Sequence, residues 1–166
     1  MLERKNKKGS LTDLVFIIGI ILFFAMIILF SFKIGNEFND HIQTDTKITA
    51  EGKAATSKLV AYYPGVVDNM FLFFSIGMVM VSLILAALVR VHPIFIPLYI
   101  LGLIIIVFFS GLFSNIYQEV AATPELATEA AQLTMISNIL TFLPLFTFIA
   151  GLLIMITLYK VVPIAE

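Results

Sequence analysis

The sequence predicts an all-α integral membrane protein with four transmembrane helices and short extramembrane helices. Three observations carry that expectation. The chain is 60% hydrophobic and 13% charged, with a mean hydropathy of +1.05; ordinary soluble domains carry about 25% charged residues. A domain of about 150 residues buries only roughly 70% of its surface, so a core of this size has no room for so much apolar area. Four apolar runs, at 14–32, 70–89, 94–113 and roughly 136–159, contain no Asp, Glu, Lys, Arg or His. Each is about 20 residues or longer, the length at which a helix rising 1.5 Å per residue crosses a hydrocarbon core of about 30 Å. The runs do not alternate apolar and polar as barrel strands do. The helix is then the form that satisfies the backbone in lipid.

Taken in order, the chain divides into a basic segment at 1–13, a first transmembrane helix at 14–34 and a polar outer segment at 35–68. A three-helix membrane bundle at 69–160 follows, with an outer segment at 115–135, and a tail at 161–166. Arg4, Lys5, Lys7 and Lys8 precede the first span. Such a cluster favours the cytoplasmic side, and alternation of four spans then places both termini there. Arg90 and Lys160 fall on the same side, whereas 115–135 holds Glu119, Glu125 and Glu129 with no Lys or Arg. The apolar run is too long for a cleaved signal peptide and no small-residue cleavage site follows it, so it reads as an uncleaved anchor.

Ile34, Phe38 and Ile42 recur at four-residue spacing, which extends the first helix past the bilayer. Residues 51–60 read as a separate short helix, and Tyr62-Tyr63-Pro64-Gly65 as the turn back to the membrane. Arg90-Val91-His92-Pro93 is all that separates the second and third spans, which read as a tight hairpin. The long polar segment leaves the first span free to stand apart. Thr123-Pro124-Glu125 carries the features of a helix start, and a short surface helix is expected there. Pro144 falls inside the fourth run and predicts a kink.

Candidate sites are few. There is no cysteine, which removes disulfides, thiolate catalysis and cysteine metal centres. His41 and His92 are far apart and form no metal-ligand pair. None of the G-x-S-x-G, H-E-x-x-H or phosphate-loop motifs occurs. No ionisable group lies inside a span, as proton relays and voltage sensors require. We therefore expect no catalytic residue, no cofactor and no metal. Asp68, at the edge of the second span, reads as a helix cap or interface acid. Arg4, Lys5, Lys7 and Lys8 read as a membrane-surface or partner contact. With a net charge of -1 and no aromatic residue among those four cations, nucleic acid is a poor partner. Ser82-x-x-x-Ala86 and Ser110-x-x-x-Ser114 pair small residues at the spacing that lets helices approach. Asn115 and Asn138, at outer span ends, are candidates for cross-helix hydrogen bonds.

Two resemblances are present. Lys7-Lys8-Gly9-Ser10 ahead of an apolar run is similar to a prepilin-type signal. The acid that signal carries would fall at Leu14, with Asp13 one place off, and pilins have one apolar helix where this chain has four. The layout as a whole, a basic tip, a long anchor, a polar segment, an apolar hairpin and a last span, resembles small multi-pass membrane proteins of lipid-containing tailless viruses and phages. That resemblance implies a chain that tiles a vesicle under a capsid and helps set its curvature. The expected function is a structural or assembly role in a membrane, the internal membrane of a virion included. A holin-like or channel-forming oligomer and an accessory subunit of a cellular membrane complex are the two other classes that need no active site. The expected partners are the lipid bilayer, other membrane or shell proteins, and copies of the chain itself.

Overall fold

The computed structural model describes residues 11–88 and 92–159. The basic cluster Arg4, Lys5, Lys7 and Lys8, together with Arg90 and Lys160, lies outside those residues. Among the described residues there are six α-helices and no strand. They are α1 (Leu11–Thr44), α2 (Ala50–Leu88), α3 (Ile96–Ala121), α4 (Ala127–Gln132), α5 (Thr134–Thr141) and α6 (Leu143–Leu158). A single 3-10 turn, Pro93–Phe95, leads into α3. The protein is an all-α membrane protein. Helices α1, α2 and α3 are each long and apolar enough to cross a membrane, and α5 with α6 forms a fourth candidate, bent by 69°.

The helices form a ring in the order α1, α2, α6, α3. Neighbours in this ring are in contact, whereas α2 and α3 sit across a diagonal with little direct contact. Two expectations are corrected here. The second and third spans are joined by a short connection but do not pack as a hairpin. The first span does not stand apart, because α1 packs against both α2 and α3. Its inward stripe of Leu14, Ile18, Ile21, Ala25, Ile28, Leu29 and Phe32 is buried at three- and four-residue steps.

The outer segment also differs from expectation. Helix α2 runs unbroken through Pro64, so there is no separate 51–60 helix and no turn at 62–65. Val60, Tyr63, Val67 and Phe71 pack inward at three- and four-residue steps across the proline. That continuous stripe holds the two halves of the helix in line against the local cost of the missing N–H. Tyr63 stacks on Phe32, with ring centroids 5.2 Å apart. With 34 and 39 residues, α1 and α2 are about 51 and 58 Å long. Both exceed a hydrocarbon core of about 30 Å, so the pair extends well past the bundle. The extension of α1 beyond its apolar run agrees with the Ile34, Phe38, Ile42 spacing.

At the far end of this extension a polar clasp closes the loop. Gln43 donates through Nε2 to Asn39 Oδ1, the Lys53 carbonyl and Ser57 Oγ, and Lys53 Nζ donates to the Gln43 carbonyl at 2.8 Å. Thr49 caps α2, its Oγ1 accepting from the Gly52 N–H at 3.2 Å.

Candidate functional site

The polar side chains of the bundle gather at one end, the outer end in the orientation the sequence suggests, where α4 and α5 meet α1, α2 and α3. The reason is local. The break at Leu133 starts α5 without a side-chain cap of its own, which leaves the first N–H groups of α5 without helical acceptors. Asp68 supplies the acceptors from the middle of α2. Its Oδ2 accepts from the Met135 N–H at 2.7 Å and from Thr134 Oγ1 at 3.2 Å, and its Oδ1 accepts from the Ile136 N–H at 2.7 Å. The carboxylate is 6% exposed. Its charge sits at the positive end of α5, so dipole and hydrogen bonds act together. Asp68 is thus a cap, as the sequence suggests, but of another helix, 66 residues further along the chain.

A second acid closes the neighbouring joint. Glu129 on α4 is 4% exposed. It accepts from Asn36 Nδ2 at 3.0 Å and lies 3.8 Å from Lys33 Nζ, which also pairs with Glu37 at 3.5 Å. These contacts tie α4 to α1. Glu129 was invisible as a site in the sequence, where it is one acid among three in an outer loop.

The third joint is the elbow between α5 and α6. Pro144 lies in the first turn of α6, so the expected kink inside a helix is instead a break at Phe142. A break frees the last carbonyls of α5. Ser114 on α3 donates its hydroxyl to the Thr141 carbonyl at 3.0 Å and accepts from Gln118 Nε2 at 3.0 Å. Ser110 is fully buried beside it, its hydroxyl turned back to the Val107 carbonyl. Between the two, a Cβ on Gly111 would sit 3.9 Å from the Pro144 ring. The Ser110 and Ser114 stripe therefore is a packing face, and it receives the elbow. Tyr117 adds a bond to Ser137 at 3.0 Å, and Ser137 donates to the Ala130 carbonyl. Among the described residues, the cross-helix bonds at this level come from Ser114 and Tyr117, and none involves the side chains of Asn115 and Asn138.

Thr123 belongs to this layer too. Its hydroxyl donates to the Val120 carbonyl, and its own carbonyl accepts from Leu126 and Ala127. It closes α3 in a turn, and α4 begins only at Ala127. The helix start expected at Thr123-Pro124-Glu125 is displaced accordingly.

The inner half of the bundle is different in kind. A groove of about 510 Å³ opens between α1, α2, α3 and α6, lined by residues such as Phe16, Phe74, Gly77, Leu85 and Leu158. Ser82 and Ala86 border this groove, and Ala86 is buried. The Ser82 hydroxyl is spent on the Met78 carbonyl at 2.8 Å, and that of Tyr99 on the Gly151 carbonyl at 3.0 Å. Such a surface accepts hydrocarbon and offers no free charge. Among the described residues, no three His, Asp or Glu side chains come together as a metal site. No protein-family model, curated protein or solved structure matches this chain.

Proposed function

We propose that this is a non-catalytic structural or assembly protein of a membrane, with both termini on the cytoplasmic side, and that its setting is the internal membrane of a virion. The observation that carries this reading is the α1–α2 pair. It extends beyond the membrane bundle as a clasped, rigid antiparallel arm with Asp45, Lys47 and Lys53 near its tip. An arm of this kind sets the spacing of the layer on its own side of the membrane, opposite the shell that the N-terminal lysines meet in this reading. The buried acids support the same reading, since the hydrogen bonds of Asp68 and Glu129 all serve helix joints. A channel needs hydroxyls free to line a path; those of Ser82, Ser110 and Ser114 are committed to carbonyls, and those of Ser75 and Thr147, which have no partner among the described residues, are buried in the packing.

Cross-linking mass spectrometry on the native membrane or particle tests the proposal. Links from Lys5, Lys7 and Lys8 to a shell protein are the expected result, with the arm on the opposite face. Links from Lys47, Lys53 and Lys58 to a shell protein keep the assembly role and reverse the placement. Links only to subunits of a cellular complex overturn the virion setting. Abrupt dye entry on induced expression overturns the structural role in favour of a holin.

A further inference from the structure

Above the apolar band of α2 and α3, the α1–α2 arm carries large apolar side chains that the rest of the chain leaves uncovered. Phe30, Ile34 and Phe38 on α1, and Leu59, Tyr62 and Val66 on α2, are all exposed, Ile34 by 65% and Tyr62 by 71%. Their heights correspond. Phe24 against Phe74, Phe32 against Tyr63 and Asn39 against Ser57 fix the antiparallel register. Within a residue, Phe30 then lies level with Val66, Ile34 with Tyr62, Phe38 with Leu59, and Glu37 with Lys58.

The six side chains also share one side of the arm. Asn36 and Asp68 reach α4 and α5. Ile34 and Val66 each stand two residues away from them, about 200° around the helix, and so face away from α4 and α5. Phe30, Phe38, Tyr62 and Leu59 follow at steps of three or four, which keeps them on the same two stripes. Phe30 and Val66 lie at the edge of the apolar band, and lipid tails do not account for the height of Ile34, Phe38, Leu59 and Tyr62. Lys33, Glu37 and Glu129 meet there, and Glu37 is exposed. Apolar surface that meets water rather than hydrocarbon has a hydrophobic drive to associate, which packing between helices inside a bilayer lacks.

We propose that this face docks a second copy of the chain, in a parallel dimer whose two-fold axis runs along the membrane normal. Copies inserted the same way in one membrane are related by rotation about that normal, so every residue keeps its height. The α1 stripe of one copy then meets the α2 stripe of the other, level on level. Glu37, exposed on α1, comes level with the exposed Lys58 on the other copy's α2, and the two-fold axis repeats the pair. Apolar rungs and opposite charges thus match in the one arrangement that a shared membrane orientation permits. The inference is independent of the virion setting.

The chain has no cysteine, which makes disulfide trapping clean. Two differently tagged copies are co-expressed, one carrying Ile34→Cys and the other Tyr62→Cys. Mild oxidation in native membranes should give the mixed disulfide. Phe16→Cys against Tyr62→Cys, at unequal heights, should give little. Glu37→Lys or Lys58→Glu alone, placed in both copies, should lower the yield about fivefold, from loss of two pairs and the repulsion that replaces them. Both reversals together should restore it, with helix content by circular dichroism unchanged throughout. A yield no higher than the Phe16 control overturns the dimer, and so does a yield indifferent to the charge reversals. The face then meets lipid headgroups or a different protein.

Discussion

The two ends of the bundle are held together by different physics. At the outer end there are three breaks in helical structure: the one near Thr123 is closed locally by its own hydroxyl, and those near Leu133 and Phe142 are closed by polar groups brought from elsewhere in the fold. At the inner end side chains meet mainly through apolar contact, with the Tyr99 bond to the Gly151 carbonyl among them, and a groove of about 510 Å³ remains. The contrast follows from solvent. Inside hydrocarbon an unpaired backbone group costs several kcal/mol, so helices there run whole. Breaks are tolerated where the freed groups find a partner, as at Phe142 within the bent fourth span. The outer joints therefore fix how α5 and α6 sit, and the inner half tolerates looser packing.

Mutations that remove a joint should sharpen this contrast, and the largest effect is expected at Asp68. Asp68→Ala leaves the Met135 and Ile136 N–H groups unpaired in a buried place, which should cost about 3 kcal/mol. Unfolding titrations in micelles would read it, and Asp68→Asn, which keeps the shape and one acceptor, should lose less. Next comes the tightest apolar contact. A Cβ on Gly151 would collide with the Leu103 side chain, so Gly151→Ala should destabilise by about 1–2 kcal/mol despite alanine's better helix propensity. Ser114→Ala frees the Thr141 carbonyl and should cost about 1 kcal/mol, visible in the same titrations. Glu129→Gln keeps an oxygen for Asn36 and loses the pairing with a partly exposed Lys33, so less than about 1 kcal/mol is expected. At the far end of the scale lies Gly77. A Cβ there meets nothing within 4 Å, and Gly77→Ala should be neutral or stabilising by about 0.5–1 kcal/mol. Opposite signs at Gly151 and Gly77 would confirm that α6 is closely packed where α2 borders open space. Equal signs would break the comparison.

The spans were legible because twenty apolar residues without a charge admit few other fates. The extension of α1 was legible in the spacing of Ile34, Phe38 and Ile42. The run through Pro64 was misread because a proline beside a glycine outweighed a quieter signal. Val60, Tyr63, Val67 and Phe71 carry the helical step straight across it. Asp68 stood out as a lone acid beside an apolar run, yet its target did not, since capping across helices depends on tertiary placement. The clue lay in α5, whose start at Leu133 and Thr134 offers no cap at the position that needs one. Ser110 and Ser114 lie on the side of α3 where Ser114 donates to the Thr141 carbonyl at the elbow. Ser82 and Ala86 share the same spacing and border a groove, because spacing permits a close approach and only the neighbouring helix decides whether one occurs.

The central claim is that a carboxylate on α2 holds the start of α5 in place. Amide hydrogen exchange at Met135 and Ile136 tests it most directly, in the intact chain and in Asp68→Ala. The account predicts that both amides are protected in the native protein and exchange rapidly in the variant, while the amides of α3 near Leu103 keep their protection. Unchanged protection at Met135 and Ile136 in the variant would contradict it.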